Sequence, residues 1–377
     1  MAATDEGVGA IGEDEPAEAP DAASLEPLPS GRLGGWLATF DAGYFAAVMA
    51  TGIVGIGAGL LGYPVLSEIL LYCTILAFVL LGAAYLVRAV RFPRRFAASL
   101  RSPSTAVTYF TIVAGTNVLA TGLLAHGLWA VSLVLGIGAF LVWLVLTYGL
   151  FCSIVLAGNR PRLREINGVW LVWVVGTQSI AVLATALGPQ LPQESGTQLL
   201  AAAAVLFWGV GVVLYLILVV IIFLRLFLIE TTPPEMGPAY WILMGATAIS
   251  VRAAAGILAF GVSDPAPLLT EMRPFVVGFS VVLWSFGSWF IPMLVLFGLW
   301  RYFVRRFPWS YEPRLWSVVF PLGMYAVASV TLGREIPYEF MTQLAAVWVW
   351  IGVGAWAVVV ALMALALIRS SRRTVSA

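Results

Sequence analysis

Ten apolar runs follow one another from about residue 36 onward, and they constrain the fold more than any other feature of the chain. A helix of about 20 apolar residues crosses the hydrocarbon core of a bilayer. Backbone polar groups in lipid must be satisfied within their own segment, so each run has to be a helix. The predicted spans are 40–62, 65–88, 104–125, 128–157, 167–188, 197–228, 238–262, 272–300, 315–333 and 340–368.

The composition agrees with an all-α polytopic membrane protein and excludes a soluble binding module. Hydrophobic residues make up 61% of the chain and charged residues 10%, with a mean hydropathy of +0.97. We predict one ten-helix transmembrane domain over residues 35–370. Residues 1–34 hold few large apolar side chains and are predicted to form a disordered acidic cytoplasmic tail. Residues 371–377 are predicted to form a short basic cytoplasmic tail.

The arginines indicate how the chain is oriented in the membrane. They concentrate in the linkers after spans 2, 4 and 8, at the end of span 6 and after span 10. The alternate linkers hold only Arg273 and Arg334. The positive-inside rule therefore predicts a multi-pass protein with both termini in the cytoplasm, which we expect in the cell (plasma) membrane.

A repeated feature marks the odd-numbered spans. Each carries a small or helix-weakening residue beside a polar or aromatic one near its middle, and the feature returns about every 60–75 residues, one helical hairpin apart. The residues concerned are Thr51 and Gly52 in span 1, Thr116 and Asn117 in span 3, Thr177 and Gln178 in span 5, Thr247 and Ser250 in span 7, and Phe320 and Pro321 in span 9.

The even-numbered spans are bulkier and are typical of lipid-facing helices. We therefore predict five hairpins in a pseudo-five-fold ring, with the odd helices lining a central pore and the even helices outside. The eight residues of spans 1, 3, 5 and 7 named above are the predicted pore-lining residues. The alternative is that these small and polar residues only hold neighbouring helices together, as they do in many membrane bundles.

Two segments resemble a known family. Residues 45–54 (FAAVMATGIV) and 311–325 (YEPRLWSVVFPLGMY) are similar to spans 1 and 9 of the tellurite-resistance/C4-dicarboxylate transporter family. That family, also called the voltage-dependent or slow anion channel family, includes malic-acid permeases and sulfite efflux pumps. The resemblance covers residues 36–368 in the correct order. It implies ten helices in five hairpins, one pore in each subunit and a homotrimer.

The resemblance also implies a phenylalanine on span 9 that plugs the pore, and the motif places it at Phe320. The alternative is a phenylalanine that only packs between helices. Pro321 favours the gate, because proline removes a backbone hydrogen bond and bends a helix. The expected function is transport of small anions, such as a C4-dicarboxylate like malate or an inorganic anion, through this phenylalanine-gated pore.

Arg252 is the one basic residue predicted well inside a span, where an unpaired charge costs about 2.5–3.5 kcal/mol on insertion scales. It either attracts anions in a hydrated vestibule or lies nearer the surface and pairs with an acid such as Glu335. Asp41 and Glu339, the carboxylates nearest to the membrane interior, are expected to cap helices. A channel is therefore favoured over the alternatives, a proton-coupled C4-dicarboxylate carrier or a protein of sulfite or tellurite efflux.

Other classes of function find little in the sequence. The chain has one histidine, His126, and lacks a GxSxG motif and an aspartate-rich motif. We therefore expect no enzyme, no metal site and no cofactor. The expected partners are a small anion and the lipid bilayer, without nucleic acid.

Overall fold

The computed structural model describes residues 31–263 and 267–375. Within them, ten helices are long and apolar enough to cross a membrane, which confirms the predicted spans. They are α1 (Ala42–Leu60), α2 (Pro64–Arg91), α3 (Pro103–Leu124), α4 (Trp129–Val155), α5 (Gly168–Gln190), α6 (Glu194–Leu228), α7 (Pro238–Phe260), α8 (Thr270–Val304), α9 (Pro313–Glu335) and α10 (Glu339–Arg369). Short helices precede α1 and α3, at Arg32–Ala38 and Pro93–Arg101.

The two predicted tails lie largely outside this description. Residues 1–30 of the predicted acidic tail and residues 376–377 of the basic tail are not among the described residues. The last helix runs from Glu339 to Val375, so the first residues of the predicted basic tail continue it.

Each odd-numbered helix contains a 3₁₀ segment in its first turns. These segments are Ala42–Phe45, Val107–Tyr109, Gly168–Leu171, Pro238–Trp241 and Pro313–Leu315. Asp41 caps the first, accepting a 2.8 Å hydrogen bond from the Gly43 N–H, as predicted. Asn167 caps the third in the same way, through the Val169 N–H at 2.9 Å. The shared start shows that the five hairpins repeat one structural unit.

Odd and even helices differ in burial. Within the most apolar window of each helix, 67–89% of residues are buried in odd helices and 11–44% in even helices. The odd helices also contact one another in order: α1 contacts α3, α3 contacts α5, α5 contacts α7, α7 contacts α9, and α9 contacts α1. The odd helices are therefore the interior of the domain, and each even helix packs outside its hairpin partner.

Glycines allow the odd helices to approach closely. A Cβ atom on Gly176 would lie 3.1 Å from the Phe110 ring of α3, and one on Gly245 would lie 2.8 Å from Cγ of Pro321 in α9. A larger residue at position 245 would push α7 away from the proline. Two of the small residues noted in the sequence thus set helix spacing.

Four tryptophans on even helices, called here the indole belt, hold these helices to the odd helix that follows. Each indole N–H donates to a hydroxyl or carbonyl oxygen of that neighbour. The pairs are Trp143–Thr177 Oγ1 (2.8 Å), Trp208–Ser250 O (3.1 Å), Trp284–Ser329 Oγ (2.9 Å) and Trp356–Thr51 Oγ1 (3.1 Å). The bonds join successive hairpins from α4 round to α1.

The end of the domain where the odd helices begin is called the basic end, and the other is the opposite end. Three arginines at the basic end of even helices are buried: Arg88, Arg225 and Arg301 have exposed fractions of 6%, 1% and 2%. Arg225 donates to the Arg164 carbonyl at 2.9 Å and to the Tyr240 hydroxyl. It thereby joins the segments that precede α5 and open α7.

The other two buried arginines make equivalent bridges. Arg88 donates to the Phe40 carbonyl before α1 and contacts the Tyr109 hydroxyl in α3 at 3.5 Å. Arg301 donates to Glu312 before α9 at 2.9 Å and to the Met236 carbonyl before α7 at 3.4 Å. These three residues, the arginine collar, fix the starts of the odd helices relative to one another.

A carboxylate beside the collar remains ionised over a wide pH range. Glu235 accepts a 2.8 Å hydrogen bond from Arg164 Nε and a 3.0 Å bond from the Thr232 N–H. These bonds lower the pKa of the Glu235 carboxyl to about 2. Its charge therefore faces Arg225, 3.8 Å away, at any physiological pH.

Candidate anion pathway

Three cavities lie among the odd helices. The basic-end cavity, about 250 Å³, is lined by residues from the starts of all five odd helices. The middle cavity, about 20 Å³, is again lined by all five and has room for about one water molecule. The opposite-end cavity, about 280 Å³, lies between the final turns of α1, α5, α7 and α9.

A regular register relates the first two cavities. In every odd helix, a residue lining the basic-end cavity is followed seven positions later by one lining the middle cavity, and seven residues are about two turns, or 10.5 Å. The pairs are Ala46 and Ile53, Thr111 and Val118, Val172 and Ser179, Ile242 and Ile249, and Ser317 and Met324. The five helices therefore present corresponding faces to the two cavities.

Phe320 lies in the turn between the two cavities. It follows Ser317 by three residues and precedes Met324 by four, so the three side chains share one helix face. Its exposed fraction is 0%. The corresponding positions of the other helices are Met49–Ala50, Ala114–Gly115, Val175–Gly176 and Gly245–Ala246. Phe320 carries the only aromatic ring at this level, and most of the other residues there are small.

Pro321 contacts the neighbouring helix α7 through Gly245, as described above. The α9 helix is continuous from Trp316 to Glu335 through this proline. Pro321 therefore fixes the side of α9 that meets α7, and Phe320 precedes it on the adjoining face.

Among the eight residues predicted to line a pore, only Asn117 borders the middle cavity. Its Nδ2 donates to Ser179 Oγ at 2.9 Å, and its buried Oδ1 has no hydrogen-bond partner. An unsatisfied buried oxygen is costly unless water or a ligand reaches it. Ser179 was not predicted; its seven-residue spacing from Val172 is the signal that identifies it.

The other predicted pore-lining residues contact helices instead. Thr51 and Thr177 accept bonds from the indole belt, and Gln178 donates to the Trp208 carbonyl at 3.1 Å. Thr247 packs against Gly287 of α8, and Gly52 against Val118 and Thr74. Thr116 and Ser250 donate to carbonyls of their own helices. These contacts are the helix-packing alternative considered for these residues.

Arg252 borders the middle and opposite-end cavities. Within the described part of the chain its guanidinium has no hydrogen bond and no carboxylate within 4.0 Å. Glu335 lines the opposite-end cavity too, but its ion pair, at 4.0 Å, is with Arg273. The ion pair between Arg252 and Glu335 that the sequence left open is thus not formed, and Arg252 presents an unneutralised positive charge to the cavities.

Ten spanning helices, with a series of cavities between the inner five, define a polytopic membrane transport protein. The sequence profile described as voltage-dependent anion channel matches residues 39–364. The chain belongs to the voltage-dependent anion channel family, as its resemblance indicated, and its function is the transport of anions across a membrane. The family therefore places it with transporters and channels.

Relatives with printed descriptions agree. An uncharacterized transporter of Methanocaldococcus jannaschii is 28% identical over 324 residues, covering 81% of this chain and 88% of that protein. A sulfite efflux pump of Arthroderma otae is 22% identical over 353 residues, covering 83% and 90%. An uncharacterized membrane protein of Mycobacterium tuberculosis is 48% identical over 109 residues, 29% of this chain. The chain matches about half the length of that last relative, 54%.

Proposed function

We propose that the odd helices form a ring around an anion pore, and that Phe320, backed by Pro321, is its gate. The observation that carries this proposal is the position of Phe320, fully buried on one helix face between the basic-end and middle cavities. A large ring among mostly small residues would separate the two cavities. The transported species are small anions, with a C4-dicarboxylate such as malate, chloride and sulfite as candidates. Sulfite is included because of the efflux pump relative.

The wall of this pore is assigned residue by residue. Asn117 and Arg252 would face the permeating anion, together with Ser179. Thr51, Gly52, Thr116, Thr177, Gln178, Thr247 and Ser250 would support the wall from behind, through their contacts with neighbouring helices and their own backbone. An amide and a hydroxyl bind anions weakly enough to let them pass.

Two sources of positive potential would attract anions. The five odd helices direct their N-termini at the basic-end cavity, and a helix N-terminus carries about half a positive charge. Arg252 supplies a full charge beyond the middle cavity. Carboxylates line only the end cavities, as Asp41, Glu165 and Glu335, and none borders the middle cavity among the described residues. This arrangement favours a channel over a proton-coupled carrier.

The orientation and assembly follow from the same proposal. The basic end would face the cytoplasm of the plasma membrane, with both termini on that side. The family resemblance favours a homotrimer with three separate pores. The outward faces of the even helices, with residues such as Val65, Val145 and Phe227 well exposed, would contact lipid or a neighbouring subunit.

Efflux from proteoliposomes tests the channel directly. We expect slow efflux of malate, chloride or sulfite from the unmodified protein, at the same rate with and without a proton gradient, since no carboxylate borders the middle cavity. Flux is followed with an anion-selective electrode or radiolabelled malate. Uptake that requires an inward proton gradient would identify the coupled carrier instead.

Arg252 is tested in the open Phe320→Ala background. Arg252→Gln is expected to lower chloride flux about tenfold, because a charge roughly 8 Å from the path contributes about 2 kcal/mol at an effective dielectric constant near 20. Arg273→Gln, which removes an arginine paired with Glu335, is the control and should change flux little. Equal chloride flux with and without the Arg252 guanidinium would assign it to packing.

A further inference from the structure

A fourth cavity, the lateral cavity, lies between α1, α2 and α3 and extends towards the opposite end. Its volume is about 440 Å³, larger than that of the opposite-end cavity. Four glycines line it: Gly52, Gly55, Gly59 and Gly122. Because these residues have no side chains, the space between the three helices stays open.

The lateral cavity reaches the proposed pore. Ile56, Val118, Thr121 and Arg252 line both the lateral and the middle cavity. Arg252 also lines the opposite-end cavity, so three cavities meet at this one unpaired cation. A positive charge at a junction would draw anions from either branch.

The mouth of the lateral cavity is exposed and its negative charge is held by a partner. Glu68 and His126 have side-chain exposed fractions of 45% and 37%, and His126 Nε2 lies 2.8 Å from Glu68 Oε1. Ala125, beside His126, is also exposed. The hydrogen bond to the carboxylate weakens the repulsion that Glu68 would otherwise exert on an approaching anion.

We propose that the lateral cavity is a second anion entrance at the opposite end, which joins the proposed pore at Arg252. The pathway is thus forked: an axial branch passes Ala259 and Thr331, and a lateral branch passes Ala125 and Thr121. This inference rests on the proposed pore, but the route to Thr121 can be measured without any ion flux.

The test uses a membrane-impermeant anionic thiol reagent, 2-sulfonatoethyl methanethiosulfonate, on the full chain in lipid nanodiscs. The reporter is Thr121→Cys, with Cys73 and Cys152 replaced by serine to remove the native thiols. Ala259→Trp narrows the axial branch and Ala125→Trp the lateral one. With Ala259→Trp alone, we expect the reagent to modify position 121 at an undiminished rate. Adding Ala125→Trp should slow that reaction at least about tenfold, because an indole would fill the mouth.

A second reporter guards against misfolded variants. Thr331→Cys lines only the axial branch, so Ala259→Trp should slow its modification while Ala125→Trp leaves it unchanged. If Ala259→Trp alone abolishes modification at position 121, the axial branch is the sole route and the lateral entrance is refuted. The same holds if Ala125→Trp has no effect in the Ala259→Trp background.

The mouth makes a separate charge prediction for the same reporter. Glu68→Gln should speed modification at position 121 by the anionic reagent and slow it with the cationic trimethylammonium analogue, each by about threefold for one surface charge. Equal changes with both reagents would show that Glu68 does not face the route. Because this readout needs no open gate, its result stands even if Phe320→Ala fails to conduct.

Discussion

Replacing Phe320 with alanine is expected to raise anion efflux from proteoliposomes at least about tenfold, because the ring is the only aromatic obstacle between the two cavities. Its loss would join the basic-end cavity of about 250 Å³ to the middle cavity. The other helices offer little to refill the gap, since the positions at this level are mostly alanine and glycine. Efflux of chloride and malate, measured with and without a proton gradient, gives the comparison.

The matched control for this variant is Phe290→Ala. Phe290 is equally buried, at 0% exposed, but it lies on the outer helix α8 against Phe286 and Phe223. Both substitutions should cost about 3–5 kcal/mol of stability, the usual range for a buried phenylalanine. Only the change at Phe320 should alter flux. Equal, slow efflux from both variants and the unmodified protein would show that Phe320 is ordinary packing.

Replacing Arg225 with methionine is expected to lower the free energy of unfolding by about 3 kcal/mol, the range seen when one member of a buried polar contact is removed. Methionine fills a similar volume, so the loss reports the hydrogen bonds rather than a cavity. The Arg164 carbonyl and the Tyr240 hydroxyl would lose their donor, and Glu235 its nearby cation. Thermal or denaturant unfolding in detergent, followed by circular dichroism, measures the effect.

Two further variants separate this effect from a general loss of charge. Arg160→Met removes an exposed arginine at the same end of the domain and should leave stability nearly unchanged. Arg225→Lys keeps the charge but cannot donate in two directions at once, so most of the loss should remain. If lysine restores full stability, charge at the basic end matters more than the geometry of the collar.

The sequence was sufficient for the architecture because hydrophobic length and arginine placement are local properties. Ten runs gave ten spanning helices, and bulky even runs gave the poorly buried helices. Phe320 could be singled out because its motif resembles that of a family. Its burial on the face between two cavities required the register of all five odd helices, which no single motif contains.

The polar residues show why the pathway itself was harder to predict. Asn117 and Thr116 are neighbours in one motif, yet only Asn117 reaches the middle cavity, because one residue turns a helix face by about 100°. Thr177 lies in an equivalent motif and bonds to Trp143. Similarly, the count of basic residues assigned Arg88, Arg225 and Arg301 to the cytoplasmic side, but their burial depends on carbonyl partners from distant segments.

The indole belt restricts the kind of movement that could open this protein. An iris-like widening, in which all hairpins move apart together, would stretch four buried indole hydrogen bonds at the same time. Each such bond contributes about 1 kcal/mol, and a donor left unpaired in lipid costs more. Rotation of one phenyl ring breaks none of them. The scaffold therefore acts as a fixed frame, and conductance is controlled by one hinged side chain.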